Sequence, residues 1–330
     1  MSRKLLGIYP PFAPEIQQKI VEILQPYGGE AVFMPKEIKD SERETYVVGE
    51  IGEAEMLVTG SLSEAEFRAA HNLRWLHVPF AGINRLVENK ALVESEVIVT
   101  NAAGVSSKAI ADQVLGYIIM HSRSLVSQIQ SQGRKEWQRT WWGSKLFELE
   151  GRTVGIVGHG RIGREIAIRA RTFGMRVIAT KTNLSGEFPE LDLVLSASDL
   201  PRLLAESDYV VIAAPLTPET RGLIGRTELE QMKRTGYLIN IARGLLIKEN
   251  ELIEALQEKI IDGAALDVFE VEPLPTTSPL WELPNVLITP HSSGTFNNFL
   301  ERTLEFYCAN LQRWLEGQPL QNIVDKRRGY

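Results

Sequence analysis

The chain of 330 residues carries a single cysteine, Cys308, so no internal disulfide can form. A small secreted domain stapled by disulfides is thereby excluded, and a reducing compartment is the natural home. Long apolar runs are missing as well. None approaches the roughly 18 residues that a membrane span needs. The amino-terminal "MSRKLLGIYPPFAP" has only a short apolar run before two prolines, unlike a secretory signal. A cytoplasmic protein with no membrane partner is expected. Clustered positive charge is scarce: the formal net charge is −6, and the longest basic run is "KRR" at 326–328. That leaves no electrostatic footprint for a phosphate backbone, so no nucleic-acid partner is expected. There is no repeat of fixed period and no low-complexity segment. What is present is an ordinary globular composition, 44% apolar, which can bury a real core. The length predicts two domains at about 150 residues each.

Short apolar runs at 4–8, 31–34, 55–59, 74–78 and 97–100 have strand length, with helix-like segments such as 13–29 between them. Alternation of this kind predicts parallel sheets with right-handed crossovers. The stretch 106–130 is expected to form one long helix, capped by Ser106 or Ser107 and apolar around most of its circumference, hence buried and partly between subunits. The tryptophan-rich segment 133–151 follows it as an irregular arm. A second alternating unit begins at Thr153, with strands expected at 153–157, 176–180, 209–213, 236–241, 263–267 and 286–289. Its helices are expected at 162–173, 199–206, 226–233 and 249–259. The last helix, 297–318, carries Leu300, Leu304, Tyr307, Leu311 and Trp314 on one stripe. It comes after the second unit is complete, so it is expected to return to the first domain. The fold class expected is α/β, with two Rossmann-like or flavodoxin-like parallel-sheet domains separated by a cleft. The substrate-binding domain would comprise 1–103 plus 295–330 and so be discontinuous. The dinucleotide-binding domain would comprise 104–294, including the long helix and the arm 131–150.

"GHGRIG" at 158–163 lies between an apolar strand and a helical pattern. That context turns a weak G-x-G-x-x-G match into a dinucleotide site. Gly158 would permit the tight turn, Gly160 would let the backbone approach a pyrophosphate, and Gly163 would let the helix pack on its strand. The helix N-terminus supplies N–H groups and partial positive charge. At the end of the next strand, where an acid would accept the ribose 2′-hydroxyl, stands Lys181, followed by Thr182 and Asn183. A cation there favours a 2′-phosphate, so NADP(H) is expected over NAD(H). The plainer alternative is a lysine pointing to solvent, and an arginine fork would have been a stronger sign.

Ligands of open parallel sheets lie beyond the carboxyl ends of the strands. The later strand candidates end there on Arg243, on Asp267 with Glu272 beyond it, and on His291. Singly each has a structural explanation. Together they suit reduction of a carbonyl by hydride. His291 as imidazolium would protonate the oxygen, Glu272 would favour the charged ring and orient it, and Arg243 would hold a substrate carboxylate through two parallel hydrogen bonds.

With these residues in place, the sequence resembles the D-isomer-specific 2-hydroxyacid dehydrogenases. The segments "GRTVGIVGHGRIG", "PLTPETRGLIG", "NIARGLLIKENELIEAL", "GAALDVFEVEPLP" and "ITPHSSG" occur in that family's order. The resemblance implies the same triad of Arg243, Glu272 and His291. It implies that Asp267 and Ser107 lie near the nicotinamide and that Arg161 and Ile162 bind pyrophosphate through their backbone. Pro215, Thr220 and Ile241 would line the cofactor. It makes 78–86 the substrate loop, with the N–H groups of Ala81 and Gly82 toward the carboxylate and Phe80 adding bulk there. It also implies a hinge cleft and a homodimer built on the cofactor domains.

The chain departs from the family at Lys181, where an acid is common, and at Asn84 and Asp112, where aspartate and glutamate are usual. In the glyoxylate and hydroxypyruvate reductases a partner's tryptophan can close the pocket, a part that Trp141 or Trp142 could take here, although interface packing is the plainer role. Formate dehydrogenases carry glutamine where Glu272 stands and are disfavoured. A phosphite dehydrogenase-like activity and a dinucleotide-sensing, corepressor-like binding protein both keep the triad and stay open.

Overall fold

The computed structural model describes residues 4–8, 12–137 and 146–329. The chain divides into two compact units, residues 1–105 with 296–330, and residues 106–295.

In the first unit, β1 (Lys4–Gly7), β2 (Glu30–Phe33), β3 (Ala54–Val58), β4 (Trp75–Val78) and β5 (Ile98–Asn101) form a parallel sheet in the order β2-β1-β3-β4-β5. The five apolar runs read from the sequence fall on these strands. Sheets covered on both faces demand near-continuous apolar strands, and β3 and β4 are buried at every position. The C-terminal helix Phe299–Leu315 packs Leu304, Tyr307 and Leu311 into the same core as Leu5, Met56 and Trp75. Its expected apolar stripe is broken at one end, where Leu300 is exposed. His77 in β4 is completely buried among the rings of Trp75, Phe306 and Tyr307, and its Nδ1 lies 2.8 Å from Thr100 Oγ1. Burial pushes its pKa down to about 3, so the ring is neutral at ordinary pH.

In the second unit seven strands are all parallel: β6 (Thr153–Val157), β7 (Arg176–Thr180), β8 (Leu193–Leu195), β9 (Tyr209–Ile212), β10 (Tyr237–Asn240), β11 (Gly263–Leu266) and β12 (Val286–Ile288). Their order is β12-β11-β10-β9-β6-β7-β8. It reverses between β6 and β9, which places a crevice at the carboxyl ends of those strands. β8 was not expected, since three residues at a sheet edge are too few to show a pattern.

The single helix expected over 106–130 is instead two, Ser107–Ser122 and Leu125–Gly133. Ser124 between them has φ 50°, and a left-handed residue cannot continue a right-handed helix. The apolar pattern runs across the break, so periodicity alone did not reveal it. The first of these helices packs on the helix Arg161–Thr172, where Arg169 Nε donates to Asp112 Oδ1 at 2.6 Å. Among the described residues no helix is long and apolar enough to cross a membrane.

His77 makes a pH prediction. Its folded pKa of about 3 lies below the unfolded value of about 6.5. Between those values the unfolded chain binds the extra proton, so stability should fall as pH drops through this window, by up to about 1.4 kcal/mol per pH unit. Denaturant unfolding of wild type and His77→Gln at pH 7 and pH 4.5 measures the term. The wild type should lose more stability, and equal losses would refute it.

Candidate active site

The loop between β6 and the helix Arg161–Thr172 is fixed by two glycines and left open by a third. Gly158 has φ 98°, and a Cβ there would lie 2.7 Å from Ala214 Cα, so no other residue fits. A Cβ on Gly163 would meet the Gly158 carbonyl oxygen at 2.7 Å. Gly160, the N-cap of the helix, would meet nothing within 4 Å. The backbone at Gly160 is therefore approachable, and the first-turn N–H groups, those of Arg161 and Ile162 among them, have no intrahelical acceptor. Thr180 at the end of β7 holds the loop from beside: its Oγ1 accepts from Gly158 N at 3.1 Å and its carbonyl from His159 N at 2.9 Å. This arrangement suits a dinucleotide pyrophosphate.

Lys181 follows β7 directly, yet it does not extend into solvent. Its Nζ donates to the His159 carbonyl at 2.8 Å and lies 5.1 Å from the centre of the Phe188 ring. The His159 side chain is only 3% exposed, with Nε2 3.2 Å from Glu190 Oε1, and the same oxygen lies 3.4 Å from Arg164 Nε. Burial lowers the His159 pKa, against the pull of Glu190. His159, Arg164 and Glu190 went unremarked in the sequence. The histidine was visible inside the glycine motif, whereas Glu190 comes from a distant loop with no pattern of its own. Thr182 and Asn183 are exposed, and Asn183 Oδ1 accepts from Ser185 N and Oγ at 2.9 and 2.6 Å.

Three loops at the carboxyl ends of β10, β11 and β12 carry Arg243, Glu272 and His291. The His291 Nδ1 lies 2.7 Å from Glu272 Oε2, with side chains 50% and 36% exposed. The other carboxylate oxygen, Oε1, accepts from Phe269 N at 3.0 Å, which fixes the Glu272 side chain on its own loop. His291 has φ 50°, a left-handed conformation that costs a non-glycine residue about 1–2 kcal/mol. Asp267 supplies the restraint. Its carboxylate is fully buried and accepts from Ser292 N at 2.9 Å, Ser293 N at 3.0 Å and Thr289 Oγ1 at 2.5 Å, while its carbonyl accepts from His291 N at 2.8 Å.

On the neighbouring loop the buried Asn240 plays a similar part, its Nδ2 donating to Arg243 O at 2.9 Å and its Oδ1 accepting from Ala242 N at 3.1 Å. Burial pulls the Arg243 pKa below its ordinary value and the Glu272 charge opposes this, so the guanidinium stays protonated. Gly244 lies against the loop of Glu272: a Cβ there would be 1.9 Å from the Phe269 carbonyl carbon.

Other expected residues are placed as follows. Thr220 Oγ1 donates to the Pro215 carbonyl at 2.7 Å in the loop after β9, and Ile241 is buried after β10. Ser107 opens its helix with a buried hydroxyl that makes no hydrogen bond among the described residues. Phe80, Ala81 and Gly82 belong to the other unit. Phe80 stacks on Phe299, ring centres 6.2 Å apart, and its carbonyl accepts from Ala102 N at 3.0 Å. Asn101 Nδ2 donates to Ala81 O at 2.7 Å. Trp141 and Trp142 lie outside the described residues.

A family model for the D-isomer specific 2-hydroxyacid dehydrogenase NAD-binding domain matches residues 115–293. A glyoxylate reductase of Korarchaeum cryptofilum is 34% identical over 272 residues, 82% of this chain and 81% of that protein. A D-3-phosphoglycerate dehydrogenase of Methanocaldococcus jannaschii is 32% identical over 311 residues, 92% of this chain but 59% of that longer protein. Among solved structures, a D-isomer specific 2-hydroxyacid dehydrogenase from Xanthobacter autotrophicus Py2, in complex with NADPH and MES, aligns over all of both chains with a TM-score of 0.83 at 28% identity.

The contact at Gly244 yields a prediction. Gly244→Ala would drive a methyl group into the Phe269 backbone. Overpacking of this kind costs about 1–3 kcal/mol, read as a lower melting temperature. An unchanged melting temperature would mean that the two loops are not locked together.

Proposed function

The chain belongs to the D-isomer specific 2-hydroxyacid dehydrogenase family and is an NAD(P)-dependent oxidoreductase, and from that premise we propose that it reduces a small 2-oxo acid of the glyoxylate or hydroxypyruvate type to the D-2-hydroxy acid, using NADPH. The reading rests above all on the 2.7 Å pairing of His291 Nδ1 with Glu272. With Nδ1 committed to the carboxylate, Nε2 is the ring atom left to face a substrate. Its proton passes to the carbonyl oxygen as negative charge develops there, and Glu272 orients the ring through Nδ1. Arg243 grips the substrate carboxylate through two N–H groups and polarises the carbonyl. The dinucleotide supplies the hydride. Its pyrophosphate would rest on Gly160, Arg161 and Ile162, with Gly158 and Gly163 shaping the turn. Pro215, Thr220 and Ile241 would line it, and the buried Ser107 hydroxyl, with Asp267, would lie toward its nicotinamide.

The preference for NADP(H) over NAD(H) rests on Lys181, with Thr182 and Asn183 beside it as hydrogen-bond donors. Residues 1–103 with 295–330 act as the substrate-binding domain, where Phe80, Ala81 and Gly82 contribute to carboxylate binding. Residues 104–294 act as the dinucleotide domain. The protein works as a homodimer in the cytoplasm.

Turnover of NADH and NADPH with glyoxylate, hydroxypyruvate, pyruvate and phenylpyruvate tests the proposal. Tight nucleotide binding without turnover of any of them would point instead to a dinucleotide sensor. General acid–base catalysis contributes roughly 10²–10⁴-fold. His291→Ala should lose turnover on that scale while still binding NADPH, and a fully active variant would sink the assignment.

Lys181→Asp should move the kcat/KM ratio toward NADH by about tenfold or more, since a hydrogen bond to a charged group is worth ~1.5–3 kcal/mol. An unchanged ratio would assign nucleotide choice to other residues.

A further inference from the structure

The loop that carries His291 is tied to the helix Ser107–Ser122 by a chain of hydrogen bonds whose direction can be read. Gln113 Nε2 donates to the Tyr117 hydroxyl at 3.0 Å. The Tyr117 hydroxyl lies 2.6 Å from Thr289 Oγ1, and Thr289 Oγ1 donates to Asp267 Oδ1 at 2.5 Å. A hydroxyl has one proton to give. Thr289 gives its own to the carboxylate, so it must accept from Tyr117, and Tyr117, its proton committed to Thr289, must accept from Gln113. Tyr117 is 2% exposed, and burial raises its pKa, which keeps that proton in place. The relay ends on the carboxylate that also accepts from Ser292 N and Ser293 N, the two residues that follow the left-handed turn at His291.

We propose that Thr289 and Tyr117 are positioning residues for the reduction, aligning the His291 imidazole through Asp267. The inference rests on the reading of His291 as the acid. Neither residue touches substrate in this scheme. Thr289 orients one oxygen of Asp267, Asp267 sets the backbone of 291–293, and that backbone sets where Nε2 points. Tyr117 anchors Thr289 to a helix packed against the body of the unit, so the loop is held from both ends. Misplacing a reacting group by about 1 Å can cost roughly 100-fold in rate, which makes a distant hydroxyl visible in kcat.

The test uses the full-length protein with NADPH and whichever 2-oxo acid the wild type turns over best. Thr289→Val removes the hydroxyl at nearly constant shape. It should lower kcat by about tenfold or more, with KM and the NADPH dissociation constant within about twofold of wild type. Thr289→Ser restores the hydroxyl and should recover kcat to within about threefold. Tyr117→Phe leaves the Thr289–Asp267 bond intact and should cause a smaller fall in kcat, again without a change in NADPH binding. Should Thr289→Val fail to fold, Tyr117→Phe decides alone: a lower kcat at unchanged NADPH affinity supports the proposal, and an unchanged kcat overturns it. The proposal is also overturned if Thr289→Ser falls as far as Thr289→Val, or if the variants raise KM and leave kcat alone. A wild type that turns over none of the 2-oxo acids removes the functional reading and this inference with it. An active wild type matched by both Thr289→Val and Tyr117→Phe removes only the inference.

Discussion

The Asp267 carboxylate lies wholly out of contact with water, and a buried ion costs several kcal/mol unless other polar groups replace its hydration. Here two backbone N–H groups and a hydroxyl do so. Because two of those donors are the amides of Ser292 and Ser293, satisfying the ion and shaping the His291 turn are one event. The left-handed residue at 291 is tolerated because the neighbouring amides would lose a charged acceptor if the turn relaxed. Glu272 then completes the arrangement from outside, its carboxylate fixed to Phe269 N by one oxygen and to the imidazole by the other. Ion pairs open to water are worth little, so the orientation that Glu272 gives the ring needs a fixed backbone behind it. The rigidity comes from the buried acid beneath it.

The parallel sheet explains why so much of this was readable from the residues. Strands covered on both faces have to be apolar throughout, so "TVGIV" and "RVIAT" announced β6 and β7, and the polar residues that follow such strands stood out against them. Arg243, Asp267 and His291 were found by that contrast. The same logic failed where side-chain identity carries no information about the backbone. Ser124 is compatible with a helix interior or a left-handed turn, and only the packed structure selects the turn. Leu193–Leu195 is too short to differ from any other apolar triplet in a loop. Partnerships across the chain were equally hidden. Asn240 beneath Arg243, Asn101 beneath the Ala81 carbonyl and Glu190 beside His159 are polar residues whose importance lies in a contact that no local spacing encodes.

Beside the glycine loop, at Lys181, residue type and observed geometry bear on different questions. The sequence offers a lysine where an acid would exclude a 2′-phosphate, and that is a statement about charge. In the structure the ammonium group already donates to the His159 carbonyl and rests over Phe188, which looks at first like a cation committed elsewhere. An ammonium has three N–H donors, however. One of them is spent on the carbonyl, and the aromatic face engages the charge without consuming a hydrogen bond. The existing contacts restrict the rotamers of a long side chain, whose ordering on binding of an anion would otherwise cost about 0.5–1.5 kcal/mol.

The Glu190 carboxylate beneath the loop sharpens the same point. It stands against His159 and Arg164, so part of the positive charge at this end is already balanced from within. A ligand anion adjoining the loop would meet Arg164 as a guanidinium shared with an internal carboxylate and Lys181 as an ammonium held by a carbonyl dipole. The lysine keeps more of its charge available, since a neutral acceptor does not cancel it. On the reading proposed above, choice of nucleotide turns on the residue at position 181 rather than on the count of basic residues nearby.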